Sequence, residues 1–531
     1  MNIFTIFFLI VIIYNIVKNK RALHMLQQNL YNDNSRYLRW VAKNPWQVFI
    51  NLDLIALVIL VIAYFSNSEF RYWLIVIAII FYILDALRII AYAKAEKIKK
   101  PLVVTKRIKR LVVTSSLIFM VPIAVYILDN DVDYLAVLVL ATLTFLSYIV
   151  VLVAKVFNTP IEACVYRYYE VKAKRKLKSM TNLKVVGITG SYGKTSSKNI
   201  LSDILNLKYI ARPSPKNLNT EYGLMITINN HLDKFDDIFI AEMGAHARGD
   251  IKKLCELVPP KYGILTTIGL AHLDTMGTPE IIRKTKFELI ESLPPDGVGV
   301  LNGDDPKQTS YNIKSKCKKI WIGLENEAVD IRAINIKCSH KGSTFDIIFK
   351  GDEKKYPFET RLLGNHNIYN ILAAVALGKE FGMSISELQK GVLKAKPTES
   401  RLELRNYGYM YQINDAYNSN PVGAKMAVEV LDMMPGTKVV VTPGMIELAE
   451  KEAELNEIFG NQIGKVADYV ILVGEKRTKP IFKGIMEQGF KKENIYVVNS
   501  VYEAYNILQG LKVKGDLYAL FENDLPDSLN E

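Results

Sequence analysis

The sequence predicts an α-helical transmembrane N-terminal domain followed by two α/β domains, and three observations predict it. Apolar stretches long enough to cross a bilayer fill the first 158 residues and then cease. The run VVGITGSYGKTS at Val185–Ser196 joins a β-type segment to a glycine-rich turn and the start of a helix. Beyond it, short apolar strand-like runs alternate with helical segments to the C-terminus, the pattern of mainly parallel sheets covered by helices.

The apolar stretches are Ile3–Val17, Trp46–Phe65, Tyr72–Ala93, Leu111–Leu128 and Tyr134–Phe157. A helix needs about 20 residues to cross the hydrocarbon core, so the sequence predicts about five transmembrane helices in residues 1–158. The first is the shortest, and neither a basic leader nor a small-residue cleavage site marks it as a signal peptide. Lys and Arg collect in three segments, Lys18–Lys43, Lys94–Arg110 and Arg167–Lys178, whereas Ser66–Phe70 and Asp129–Asp133 carry acids and no base. The positive-inside rule then puts the N-terminus outside and everything after the last span in the cytoplasm, as in a multi-pass plasma-membrane protein. The same basic segments, facing anionic lipid, account for the net charge of +13, and no nucleic-acid motif accompanies them. The partners expected are therefore membrane lipid and no nucleic acid. Cys164, Cys255, Cys317 and Cys338 lack CxxC spacing and read as reduced thiols. Asp53, Asp85 and Arg88 are costly inside the spans; Asp53 is expected to pair with Arg88 across two helices, or Arg88 to reach the head groups.

After a basic cytoplasmic linker at 159–181, strands are expected at Leu183–Thr189, Tyr209–Arg212, Ile238–Met243, Tyr262–Thr267, Gly297–Asn302 and Lys318–Ile322. An antiparallel extension follows near Ile331–Ile336, Thr344–Phe349 and Tyr356–Arg361, then a helix at Asn367–Phe381. This is a P-loop ATPase-type central domain over 182–398. Strands at Tyr409–Asn414, Lys438–Thr442, Tyr469–Val473, Ile495–Val498 and Leu517–Phe521, alternating with helices, make 399–531 a Rossmann-like C-terminal domain, with Lys394–Glu399 as hinge.

A glycine-rich turn between strand and helix wraps backbone N–H groups around polyphosphate, with a lysine for the outer phosphates and a hydroxyl for Mg²⁺. Here these parts are Thr189, Gly190, Ser191, Gly193, Lys194, Thr195 and Ser196, with Ile188 where the commonest form of the loop has glycine. This variant resembles the ATP loop of the Mur ligases, the amide-forming enzymes of peptidoglycan precursor synthesis, and of their folylpolyglutamate relatives. The resemblance runs on, in family order, through AEMGAHARGDI at Ala241–Ile251, AHLDTMG at Ala271–Gly277, KFELI at Lys286–Ile290, LNGDDP at Leu301–Pro306, GNHNIYN at Gly364–Asn370 and NDAYNSNP at Asn414–Pro421. The last is most similar to the D-alanyl-D-alanine-adding branch of the family.

The resemblance implies ATP and two Mg²⁺ sites, with Thr195 and Glu242 on one ion and His272 on the other. It implies that Lys286 is a carbamylated lysine, a cation converted into a carboxylate-like metal ligand. It places Asn367 and Asn370 on the adenine side, Asp415 on the ribose, and Arg401 on the phosphates from the C-terminal domain, with Ser400 where the family has glycine. Lys194, Lys286, His272 and Arg401 are thus the expected catalytic set, and Asn219, Tyr417, Asn418, Asn420 and Asp524 the expected substrate contacts. His246 and His366 suit structural roles equally well.

A carboxylate resists an amine until one of its oxygens becomes a leaving group, and phosphorylation by ATP supplies that. The expected function is a membrane-anchored ATP-dependent carboxylate–amine ligase of the cell envelope. The family's UDP-sugar-gripping domain is replaced here by helices, which favours a lipid-linked or envelope glycan or peptide as acceptor. The alternatives are a conventional D-alanyl-D-alanine-adding ligase and a poly-γ-glutamate-type ligase. The acidic end FENDLPD stands where the adding enzymes carry a Lys-Gly-Ser motif, and its Glu522, Asp524 and Asp527 suit an ammonium group or a sugar hydroxyl. An ATP-driven transporter fits less well, because no ABC signature or repeated span architecture is present.

Overall fold

The computed structural model describes residues 3–29, 34–95, 101–128, 133–269, 273–416, 419–446 and 448–523. The chain divides into a compact unit ending at Arg167 and a second beginning at Tyr168.

Among the described residues the first unit has helices alone as regular structure: α1 (Ile3–Gln28), α2 (Asn34–Lys43), α3 (Pro45–Val48), α4 (Leu52–Tyr64), α5 (Ser68–Ala95), α6 (Lys106–Leu128), α7 (Asp133–Phe145) and α8 (Ser147–Ser179). Its apolar interior joins Phe7, Val11 and Tyr14 of α1 to Ala56 and Leu60 of α4, Ala78 and Tyr82 of α5, and Val137 and Leu140 of α7. Among the described residues four helices are long and apolar enough to cross a membrane: Ile3–Gln28, Glu69–Tyr92, Lys106–Leu128 and Ser147–Ser179. The five stretches read from sequence differ from these in instructive ways. Trp46–Phe65 is broken, because Asn44 and Asn51 turn their side-chain amides onto the Trp40 and Gln47 carbonyls and the helix that restarts at Leu52 has only 13 residues. Tyr134–Phe157 is broken at Leu146, where Thr142, Thr144 and Ser147 hydroxyls bond back to carbonyls three or four residues earlier. Conversely, α1 runs past Val17, since Asn15, Lys18 and Asn19 are buried and partnered inside the bundle.

The expected Asp53–Arg88 pair is not formed. Asp53 pairs with buried Lys18. Arg88 instead binds Asp85 one turn back, at 2.7 Å, and donates to the Asn51 side-chain oxygen Oδ1 at 2.8 Å. Tyr14 adds a second bond to Asp85 at 2.6 Å. Each buried carboxylate thus has a donor, as burial of a charge in an apolar bundle demands.

The second unit holds two sheets. The first contains β1 (Lys184–Thr189), β2 (Ala211–Pro213), β3 (Ile238–Glu242), β4 (Tyr262–Leu265), β5 (Val298–Asn302), β6 (Lys318–Gly323), β7 (Ile331–Ser339), β8 (Gly342–Phe349) and β9 (Tyr356–Thr360), in the order β2-β3-β1-β4-β5-β6-β7-β8-β9. Pairing is parallel from β2 to β7 and antiparallel across β7, β8 and β9, as the strand spacing predicted. The helices Lys194–Leu205 and Asn365–Glu380 bury apolar faces against it. The second sheet contains β10 (Glu403–Asn406), β11 (Tyr411–Asp415), β12 (Thr437–Thr442), β13 (Tyr469–Val473), β14 (Ile495–Val498) and β15 (Leu517–Glu522), ordered β10-β11-β15-β12-β13-β14 and parallel except for β10. In both sheets the carboxyl ends of neighbouring strands are level: Ile188 of β1 lies beside Glu242 of β3, and Asp415 of β11 beside Glu522 of β15. Crevices at such ends are where open parallel sheets hold ligands.

Candidate active site

The phosphate loop leaves β1 at Thr189 and enters a helix at Lys194. Glycine is required twice. Gly190 has φ +152° and a Cβ there would lie 1.9 Å from Thr266 Oγ1; Gly193, the helix N-cap, has φ +82°. Thr266 locks the loop by donating its hydroxyl to the Tyr192 and Thr189 carbonyls at 2.6 and 3.1 Å. Thr189 is buried behind the loop, its hydroxyl on the Met243 carbonyl. Lys194 folds over the loop and donates to the Gly190 and Ser191 carbonyls at 2.8 and 3.0 Å. Burial pulls its ammonium down to about 8, with Glu242 opposing and Arg401 reinforcing the shift.

Glu242 ends β3 with 2% of its surface exposed. Its Oε2 accepts from Thr195 Oγ1 at 3.0 Å and pairs with Lys198 Nζ at 3.0 Å, while Oε1 accepts from Asn219 Nδ2 at 3.0 Å. Although burial pushes the carboxyl upward, Lys198, Asn219 and Lys194 together hold it below its ordinary value. Lys198 was missed by sequence reasoning. It lies four residues after Lys194, on the same helical face one turn on, and that spacing was the available signal.

One cavity of about 630 Å³ takes in Ser191, Gly193, Lys194, Thr195 and Ser196 from the loop, with Asn219, Glu242, His366, Asn370, Arg401, Asp415 and Asn420. Asn370 accepts from Ser197 Oγ at 2.6 Å, tying the helix Asn365–Glu380 to the phosphate-loop helix. Asn367 stands behind it, off the cavity wall, with its amide on the Leu363 carbonyl. Burial lowers His366 to about 4, and its Nδ1 has no partner among the described residues. His246 lies exposed on the wall. Asn420 caps the helix Pro421–Asp432 by accepting from Gly423 N at 2.9 Å, a structural task carried out at the cavity edge. Tyr369, also missed, lines the cavity and donates to Asp304 at 2.8 Å.

Arg401 is flanked by Ser400 at φ +56° and Leu402 at φ +48°. Both occupy the left-handed region that favours glycine, so a glycine at position 400, as the resemblance implies for the family, would suit this backbone. Lys286 lies off the cavity wall, 1% exposed, and no described residue accepts a hydrogen bond from its ammonium. Burial, then Lys194, lowers it to about 7 against the pull of Asp250 and Glu288. His272, Tyr417, Asn418 and Asp524 lie outside the described residues.

The groups expected for a nucleotide and a hard cation fit these residues. Glycines at positions a Cβ would fill let the backbone close on phosphates, and Thr195 with Glu242 offers the oxygen donors that Mg²⁺ prefers.

Comparison with known proteins agrees. The family description "Mur ligase middle domain" matches residues 188–378, and "Mur ligase, glutamate ligase domain" matches 400–521. The UDP-N-acetylmuramoyl-tripeptide–D-alanyl-D-alanine ligase of Bacillus subtilis is 33% identical over 346 residues, 63% of this chain and 72% of that enzyme. Its namesake in Escherichia coli is 30% identical over 297 residues, 55% of this chain and 65% of that one. The MurF ligase from Thermotoga maritima, solved in complex with ADP, superposes with a TM-score of 0.60 at 26% identity, covering 67% of this chain and 80% of its own. MurF from Acinetobacter baumannii shares the fold with a TM-score of 0.61 at 23% identity, covering 68% of this chain and 77% of its own. With loop, strand-end carboxylate and domain order all matched, the chain belongs to the Mur ligase family and is an ATP-dependent, ADP-forming carboxylate–amine ligase.

Proposed function

We propose that the chain acts as the D-alanyl-D-alanine-adding ligases do, joining D-alanyl-D-alanine to the terminal carboxylate of a muramyl tripeptide at the expense of ATP. The observation that carries this is the single cavity shared by Lys194, Thr195, Glu242, Arg401 and Asp415. The choice of substrates rests on the names of the relatives. An oxygen of the acid attacks the γ-phosphorus of ATP, ADP departs, and an acyl phosphate results. The amine nitrogen then forms a bond to the carbonyl carbon as the C–O bond to phosphate breaks, and the nitrogen sheds its surplus protons.

The loop amides and Lys194 bind the phosphates, Arg401 joins them from the C-terminal domain, Asn370 reaches the adenine side, and Asp415 accepts from the ribose hydroxyls. Thr195 and Glu242 would hold one Mg²⁺, and His272 with carbamylated Lys286 the second. Such ions, when bound, spread the charge that develops on the transferring phosphoryl group. A carbamate on Lys286 is supported by its burial, its want of an acceptor and its lowered ammonium, since only a neutral amine adds to CO₂. Asn219 and Asn420, with Tyr417, Asn418 and Asp524, are assigned in this reading to recognition of the peptide substrates. Exclusion of water as Arg401 closes over the site protects the acyl phosphate from hydrolysis.

The N-terminal unit is the membrane anchor in this reading, at the plasma membrane with the ligase domains in the cytoplasm. Four helices of membrane length support it, as do outward apolar side chains such as Trp46, Phe65 and Leu128, exposed by 70%, 82% and 85%. Those helices also favour a second reading, in which the carboxylate is borne by a lipid-linked precursor; the relatives' names favour the soluble one. Product formation with purified full-length protein, ATP and D-alanyl-D-alanine, offered UDP-linked and lipid-linked muramyl tripeptide in parallel, tests both. Amide formation on the UDP-linked acceptor supports the first reading, and turnover confined to the lipid-linked one replaces it with the second.

A further inference from the structure

Behind Asp415 lies a second carboxyl group to which the reaction above gives no task. Glu522 ends β15 level with Asp415 of the adjacent parallel strand and is fully buried, whereas Asp415 reaches the cavity. Its Oε1 accepts from Ser419 Oγ at 2.5 Å, and its Oε2, though buried, faces no N–H or O–H donor from any described residue. Beside it, in register on the adjacent parallel strand, stands the Asp415 carboxyl, itself an acceptor, held at one oxygen by Leu402 N at 3.3 Å. Two carboxyl groups in contact away from water can bond only if one carries a proton. Arg401 favours charge on both, but Asp415 reaches the cavity whereas Glu522 is sealed from it, so the proton resides on Glu522.

We infer that Glu522 is a positioning residue: as a neutral acid it donates its O–H to Asp415 and fixes that carboxylate toward the cavity as acceptor for the nucleotide's ribose hydroxyls. The inference rests on the assignment of Asp415 to the ribose. Burial, and then the charge of Asp415, hold Glu522 well above the ordinary carboxylate range, in keeping with a retained proton near neutrality. Among the described residues, the ionisable groups bearing on it are Asp415 from β11 and Arg401 from the loop before β10. On the β12 side the register ends at Val441 beside the preceding Phe521, and toward the helix Pro421–Asp432 Glu522 has Ser419; Lys425 and Glu429 of that helix pair with each other at the surface.

The test is ADP·Mg²⁺ binding by calorimetry to the full-length protein, which needs no acceptor. Glu522→Gln keeps both bonds, its amide N–H donating to Asp415 and its oxygen accepting from Ser419, and is expected to bind within about threefold of the natural chain. Glu522→Leu loses them and is expected to bind roughly tenfold more weakly, the cost of a charge-assisted bond. The natural chain should also lose affinity as rising pH ionises Glu522 and sets two like charges together, a decline that Glu522→Gln lacks. Thermal melting without nucleotide shows whether each variant is folded. A Gln variant as weak as Leu, or one that keeps the alkaline decline, overturns the inference. So does a folded Leu variant of unchanged affinity when Asp415→Asn binds weakly. Unchanged affinity in Asp415→Asn instead removes the ribose assignment and the inference with it.

Discussion

Lys198 neutralises Glu242 where both side chains are buried, with exposures of 1% and 2%. Removing one partner of a buried pair leaves the other charged and without compensation, which typically costs about 3–5 kcal/mol. Lys198→Met is therefore expected to lower the melting temperature sharply, while Lys198→Met with Glu242→Gln recovers stability but not ATP turnover. Recovery of turnover in the double variant would contradict a metal-holding Glu242. Lys286 makes the second prediction at this scale. With its ammonium lowered to about 7, it is protonated and inert below that pH and a free amine above it. A ¹³C carbamate resonance from labelled bicarbonate should grow between pH 6 and 8 and be absent from Lys286→Ala. A pH-independent or absent signal in the folded natural chain would remove the carbamate from the site.

The phosphate loop works as an element because strand, turn and helix are each held by something outside them. Thr266 from the end of β4 fastens the turn, Ser197 ties the helix to Asn370, and the strand end aligns the loop with Glu242. Gly190→Ala would put a methyl group 1.9 Å from Thr266 Oγ1 and, once that oxygen is removed, still 3.1 Å from Thr266 Cβ, at a φ that L residues avoid. We expect Gly190→Ala to abolish nucleotide binding measured with a fluorescent ADP analogue, and Thr266→Ala not to rescue it. Capping shows the same division of labour. Asn420 reads as a substrate contact in the motif NDAYNSNP, yet its side chain closes the first turn of a helix, a task that sequence alone assigns to Asn before Pro with equal ease.

At the scale of the whole molecule, the chain carries two kinds of interior. In the second unit apolar residues are buried between sheets and helices; in the first, large apolar side chains also cover the outside, and the polar ones turn inward. Lys18, Asp53, Asp85, Asn15 and Asn19 are all buried there, an inversion suited to a hydrocarbon surround. The full-length chain is expected to sediment with membranes and to resist extraction by alkaline carbonate and by high salt, as assayed by immunoblot of the fractions. Release by salt alone would mean surface attachment through the basic segments instead.

How much of this the sequence determined follows from the range of the interactions involved. The α/β alternation, the phosphate loop and the strand-end carboxylate Glu242 depend on local periodicity and on turn chemistry within a dozen residues, so they could be read directly. The helical breaks near Asn51 and Leu146 could not, because a hydropathy window averages over the side-chain-to-carbonyl bonds that cause them. Nor could the partners of buried charges. Lys18 finds Asp53 across 35 residues, and Asp415 finds Glu522 across more than 100, because helix packing and strand order bring them together. Only the tertiary structure chooses among distant partners, since burial makes each unpaired charge costly and the fold alone fixes which opposite group is within reach.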